Sequence, residues 1–169
     1  AEKSKITVTD LANRSVTLEV PVKTIVLAGW TGSGNPFYTL FGLLGDRTPD
    51  MIIGMDAGLK KNRQWIWQKF VERYPALEAV PDVGSPPEIN IEKIISLNPD
   101  VVFVPAYAAK SSMDVFDKLQ QAGIPVVMND YHTESYKTHL RSIELIGQIV
   151  GEAERAKEMT DFYKKQCSI

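Results

Sequence analysis

Four short segments constrain the fold most: Thr24 to Ala28, Met51 to Gly54, Val101 to Val104 and Ile124 to Met128. Three of them are almost wholly apolar, as strands covered on both faces of a parallel sheet must be. Helical patterns with recognisable ends lie between them. Asn35 can cap a helix with Pro36 at its first position, Phe37, Leu40, Phe41 and Leu44 share a face, and Gly45 can close it in the left-handed conformation. Asn90 precedes Ile91, Ile94 and Ile95 before Asn98-Pro99, and Ser111 or Ser112 leads into Val115, Phe116 and Leu119 before Gly123. Residues 65–74 form another helix stopped by Pro75. Trp65 and Trp67 are too close in sequence to share its face, so one of them is the more exposed. This alternation predicts an α/β domain with a parallel sheet, right-handed crossovers and helices on both faces.

The two ends differ from the middle. Ile6, Val8, Val16, Leu18 and Val20 alternate with polar residues around Ala12-Asn13-Arg14, the pattern of a half-buried β-hairpin at the domain edge. A helix over Ser135 to Val150 carries Tyr136, Leu140, Ile143, Gly147 and Val150, and Gly151 breaks it. In the helix that follows, Glu152 and Glu154 stand at the start and Lys164 and Lys165 at the end, complementing the dipole.

At 169 residues the chain suits one domain of ordinary size. Its 19 basic and 21 acidic residues leave a net charge of -2, which provides no broad positive field for a nucleic acid. No apolar run approaches the roughly 20 residues that cross a bilayer. Ala1 stands where an initiator Met would, as in a mature end left by signal-peptide removal or a boundary within a longer chain. Cys167 is the only cysteine, so the chain holds no internal disulfide and no multi-thiolate metal site.

In open α/β sheets ligands collect beyond the carboxyl ends of the strands. The segments there are Gly29-Trp30-Thr31-Gly32-Ser33-Gly34, the cations Lys60, Lys61 and Arg63, Gly84-Ser85-Pro86-Pro87, Ala106-Tyr107 and Asp130-Tyr131-His132. The glycine loop fails as a nucleotide site: no Gly-Lys-Ser/Thr follows, and Phe37 stands where the dinucleotide fingerprint needs its third glycine. His132, His139, Asp130 and Glu134 cluster, yet their spacing matches no metal set, and an exposed or capping role is favoured for both histidines. Ser33 lacks the flanking pattern of a nucleophile elbow.

The order of segments resembles the periplasmic binding proteins for iron-siderophores, haem and cobalamin. Residues 6–10, 16–18 and 21–26 resemble that family's opening, and Val83-Gly-Ser-Pro86 with the stretch from Asn90 to Val104 resembles its most specific signature. Leu119 to Val126 continues the likeness. The resemblance implies two α/β lobes joined by a long helix, with residues 1–150 as the N-terminal lobe and 151–169 as the start of the connecting helix. It also implies a substrate-binding component of an ABC importer, monomeric, without cofactor or resident metal, in the periplasm or lipid-anchored outside the cell. The ligand-facing loops then fall on Trp30 and Thr31, Lys60 and Arg63, Gly84 and Ser85, Tyr107 and Tyr131, and the permease-docking acid on Glu78. An iron complex such as a ferric siderophore or haem is the implied cargo, with cobalamin remaining open. The alternative is an α/β enzyme domain acting on a phosphorylated small molecule in the same crevice.

Overall fold

The computed structural model describes residues 3–31, 36–132 and 135–167. Asn35 as a helix cap, the Gly32-Ser33-Gly34 loop and Glu134 lie outside the described residues. The chain opens on an antiparallel hairpin of β1 (Ser4–Thr9) and β2 (Ser15–Val20). Its alternation sends Val8, Val16, Leu18 and Val20 inward, while the Thr7 and Thr17 hydroxyls meet on the outer face at 2.8 Å. Asp10, fully buried, ties the turn by accepting from the Ala12 and Arg14 amides and from the Arg14 guanidinium. Arg14 also donates to the Val126 carbonyl, and the Leu11 amide donates to that of Met128, so the hairpin is pinned along one sheet edge.

The remaining strands are β3 (Ile25–Leu27), β4 (Ile52–Met55), the short β5 (Gly84–Ser85) and β6 (Glu88–Ile89), β7 (Val101–Pro105) and β8 (Val126–Asn129). The parallel sheet runs in the order β4-β3-β7-β8, whereas β5 and β6 form a separate tight hairpin. The helices are α1 (Phe37–Leu44), α2 (Thr48–Met51), α3 (Gly58–Asn62), α4 (Gln64–Arg73), α5 (Ile91–Leu97), α6 (Ala109–Gln121), α7 (Ser135–Val150) and α8 (Ala153–Cys167).

Successive strand residues feed two cores. Ile25, Leu27, Phe103 and Val127 pack with Phe37 and Leu40 of α1, Ile146 and Ile149 of α7 and the hairpin. Val26, Val102, Val104 and Met128 pack on the other face with Ile94 of α5 and Phe116 and Leu119 of α6. Covering both faces is what the apolar strand runs demand.

Local signals place the helix ends. The Asn90 side chain accepts the Lys93 amide at 2.9 Å, Asn98 closes α5 at φ 47°, and Gly45 ends α1 at φ 57°. In α4, Trp67 is 6% exposed and Trp65 70%. Two departures stand out. Helix α6 begins at Ala109, before the expected start, but it kinks at Ser112, which leaves helical dihedrals at the point from which the sequence places the helix. The segment expected as a plain loop at Gly84 to Pro87 contains β5 and leads into β6.

Candidate functional site

The strand order reverses between β3, whose other neighbour precedes β7 in the chain, and β7. A crevice opens at such a reversal because the connections leave it toward opposite faces. The residues just beyond these two strands meet there. Gly29 (φ 112°) and Trp30 (φ 55°) are consecutive positive-φ residues that turn the chain out of β3. A Cβ on Gly29 would lie 2.8 Å from Pro86 Cδ, so the β3 loop and the β5–β6 hairpin approach too closely for any side chain. Trp30 is half exposed, and its ring meets Tyr107 edge-on at 5.9 Å; Tyr107 in turn meets His132 at 5.7 Å. A row of rings thus spans the ends of β3, β7 and β8.

Asp56, directly after β4 and 2% exposed, underlies this row. Its Oδ2 accepts the amides of Gly29 at 3.1 Å and Thr31 at 2.9 Å, and its Oδ1 accepts the Gly58 amide at 2.6 Å and the Thr31 hydroxyl at 3.2 Å. Burial pushes the Asp56 carboxyl above the usual carboxylate range, against the opposing pull of these donors. Burial likewise raises the Tyr107 phenol, and the Asp56 charge adds to the effect.

Beside Asp56 lies an open cavity of about 680 Å³. Of the expected site residues, Trp30, Arg63, Gly84 and Ser85 line it, and Tyr107 stands next to it against Trp30. The others are engaged elsewhere. Thr31 is fully buried with its hydroxyl on Asp56, and accepts the Leu59 amide at 3.2 Å, so it shapes the loop from beneath. Lys60 pairs with Glu78 at 2.6 Å and lies 5.8 Å over the Trp67 ring. The Tyr131 hydroxyl bonds Thr39 at 2.8 Å and its ring packs on His139 and the α1/α7 core; burial raises its phenol. Glu78 is exposed on the 3-10 turn Pro75–Ala79, and Lys60 above all holds its carboxyl below the usual range.

Asp56, Asp82 and Glu88 also line the cavity, though the sequence does not single them out, and so does Lys61, which the sequence places in the cationic segment but not among the expected contacts. An available signal is position: each flanks a strand end or the short helix beyond it. Among the described residues, no group of three or more His, Cys, Asp or Glu could hold a metal ion, and no helix is long and apolar enough to cross a membrane.

An open cavity at the strand reversal of a doubly covered parallel sheet is a position where α/β folds collect ligands. A structure of a TroA-like periplasmic binding protein, FepB from Veillonella parvula, superposes with a TM-score of 0.86 at 38% identity, covering 95% of this chain and 46% of that one. Haemophilus influenzae MolA bound to molybdate superposes with a TM-score of 0.73 at 20% identity, covering 96% of this chain and 52% of that one. An uncharacterised ABC transporter substrate-binding lipoprotein of Bacillus subtilis, YvrC, is 28% identical over 160 residues, 94% of this chain and 44% of its own length. The chain therefore spans about half the length of the relatives it matches. The periplasmic binding protein family model matches residues 53–167, and the chain belongs to that family. Its members are solute-binding proteins that work in the periplasm or on the outer face of the membrane, not enzymes, so an α/β enzyme domain acting on a phosphorylated molecule is set aside.

Proposed function

We propose that this chain is the N-terminal lobe of the substrate-binding component of an ABC importer, and that it captures an iron complex such as a ferric siderophore or haem for delivery to the permease. The carrying observation is the cavity at the strand reversal, bordered by the Trp30–Tyr107 ring pair and lined by Lys61 and Arg63. Aromatic faces supply apolar area at little entropic cost, and the cations meet electronegative metal-binding groups. Trp30, Lys61, Arg63, Gly84, Ser85 and Tyr107 act as contacts, Thr31 frames them, and Lys60 and Tyr131 serve the surroundings. Residues 1–150 form the lobe and 151–169 begin the connecting helix, which rests on α7 where Ala156 meets Gly147. Glu78 offers a carboxylate to arginines of the permease.

A ligand held between two lobes finds half its contacts on one of them, so residues 1–169 bind ferric chelates weakly and a two-lobed form binds them far more tightly. Isothermal calorimetry with a panel of ferric hydroxamates, ferric catecholates and haem tests this on both forms. Trp30→Ala and Arg63→Ala each weaken binding of the preferred complex. Absence of binding to every iron complex by the two-lobed form removes the assignment of cargo.

A further inference from the structure

Resting on the ligand site just described, we infer that the cargo is dipolar: a cationic group such as an ammonium seats against Asp82 and Glu88, while the electronegative metal-binding end meets Lys61 and Arg63. The cavity does not carry the cationic lining that an all-anionic complex needs. Lys61 and Arg63 approach it from α3 and its end, but Asp82 and Glu88 approach it from the two sides of the β5–β6 hairpin, and Asp56 lies beside them. The neighbouring cation Lys60 adds nothing, because Glu78 holds it. Even with Asp56 set aside as saturated by backbone amides and the Thr31 hydroxyl, the remaining lining charges balance.

These charges are uncommitted. Among the described residues, none of Lys61, Arg63, Asp82 and Glu88 forms an ion pair. Asp82 spends Oδ1 on the Gly84 amide at 2.9 Å, which aligns its carboxylate and leaves Oδ2 open. The backbone that carries Glu88 is tightly closed on the segment after Asp82: Gly84 has φ 76°, and a Cβ there would lie 2.2 Å from the Glu88 carbonyl oxygen. Opposite charges from two elements, sharing one cavity without neutralising each other, favour a ligand that carries both complements. Haem, whose peripheral charged groups are two carboxylates with no ammonium-like substituent, offers a partner to the cations but no such group to the acids.

Three gallium(III) complexes that differ at one terminus read this charge directly: desferrioxamine B with its free ammonium, its N-acetyl derivative and its N-succinyl derivative. Gallium replaces iron so that the titration of residues 1–169 can be followed by the amide and indole resonances of Trp30, Gly58 and Gly84. Affinity is expected to fall in the order ammonium, acetyl, succinyl, by about fivefold per step at low salt and less at high salt. Asp82→Asn with Glu88→Gln flattens the series, whereas Lys61→Ala with Arg63→Ala weakens all three members alike. Equal affinity across the series, or the reverse order, overturns the dipolar cargo while leaving a chelate site intact. No resonance shift with any of the three removes hydroxamate chelates as cargo and the dipolar cargo with them, while the iron-complex reading stands or falls on the calorimetric panel with the two-lobed form.

Discussion

The Asp56 carboxylate holds Thr31 by two bonds, taking its amide at 2.9 Å and its hydroxyl at 3.2 Å, while the same carboxylate takes the Gly29 amide at 3.1 Å. Trp30 is therefore suspended between two tethered residues in a conformation that costs an L-residue about 1–2 kcal/mol. The strain is supported from below by a strand-end acid, and the indole stands half exposed with its ring edge-on to Tyr107. In Asp56→Asn the side-chain amide nitrogen cannot accept, so at least one of these donors loses its partner. Urea denaturation should show a loss of about 1–3 kcal/mol. The Trp30 indole resonance should broaden while that of the buried Trp67 stays put. A variant as stable as the parent, with an unmoved Trp30, would show that the loop holds itself.

Asp56 should also leave a signature in pH dependence. Because burial raises its folded-state value above its unfolded one, the folded chain holds a proton that the unfolded chain has released only at pH values between the two. Its contribution to stability is complete below the unfolded value and is lost as pH rises through the folded one. Asp46, held low chiefly by Tyr74 and then Arg73, and Asp161, held low chiefly by Lys157, work in the opposite sense and lose their contribution on acidification. Subtracting the unfolding free energy of Asp56→Asn from that of the parent at each pH removes these shared terms. The difference should grow as pH falls through the folded value of Asp56. A difference that shrinks instead would mean that the donors outweigh burial and that Asp56 is a depressed carboxylate.

The seating of α8 depends on a missing side chain. A Cβ on Gly147 would lie 2.3 Å from the Ala156 Cβ and 3.1 Å from the Glu152 carbonyl oxygen, so α7 and α8 touch where both are smallest. Gly147→Ala gains about 1 kcal/mol of helix propensity, but it drives α8 off its seat. The net result should be lower stability and faster amide exchange along α8. Adding Ala156→Gly reopens the space and should restore slow exchange, a rescue that a generally weakened α7 would not show.

Elements announced by neighbouring residues are legible from the sequence, and contacts made across the fold are not. Asn90 and Asn98 bracket α5 through local geometry, and the apolar runs predict the sheet with ends shifted by a residue or two. The loops of the cleft are legible for the same reason, since they follow strands. Which side chain enters the cleft is another matter. Lys60 and Lys61 point about 100° apart on a helix, and the rotation of α3 is anchored by the bond from Gly58 to Asp56, whose carboxylate is itself oriented by the β3 loop. Tyr131 follows β8 as expected, yet Thr39 on α1 draws its hydroxyl away. The acids of the β5–β6 hairpin become visible only once two strands of two residues each are seen to close.

The proposed docking role of Glu78 yields the final expectation. Its carboxylate is engaged by Lys60 at 2.6 Å, with both side chains about half exposed. Solvent screens such a pair, so its loss should scarcely change the melting temperature. Neither residue lines the cavity, so ligand affinity should also hold. If arginines of the permease use Glu78, they must displace Lys60, and the two residues then have opposite effects on delivery. In a two-lobed form reconstituted with its importer, Glu78→Ala should lower transport. Lys60→Met, which keeps an apolar stem near Trp67 and frees the carboxylate, should maintain or raise it. The association rate with the permease should follow the same order and flatten at high salt. Equal losses in both variants would instead mark the ion pair as a structural unit, and undiminished transport by Glu78→Ala would assign docking to another acid.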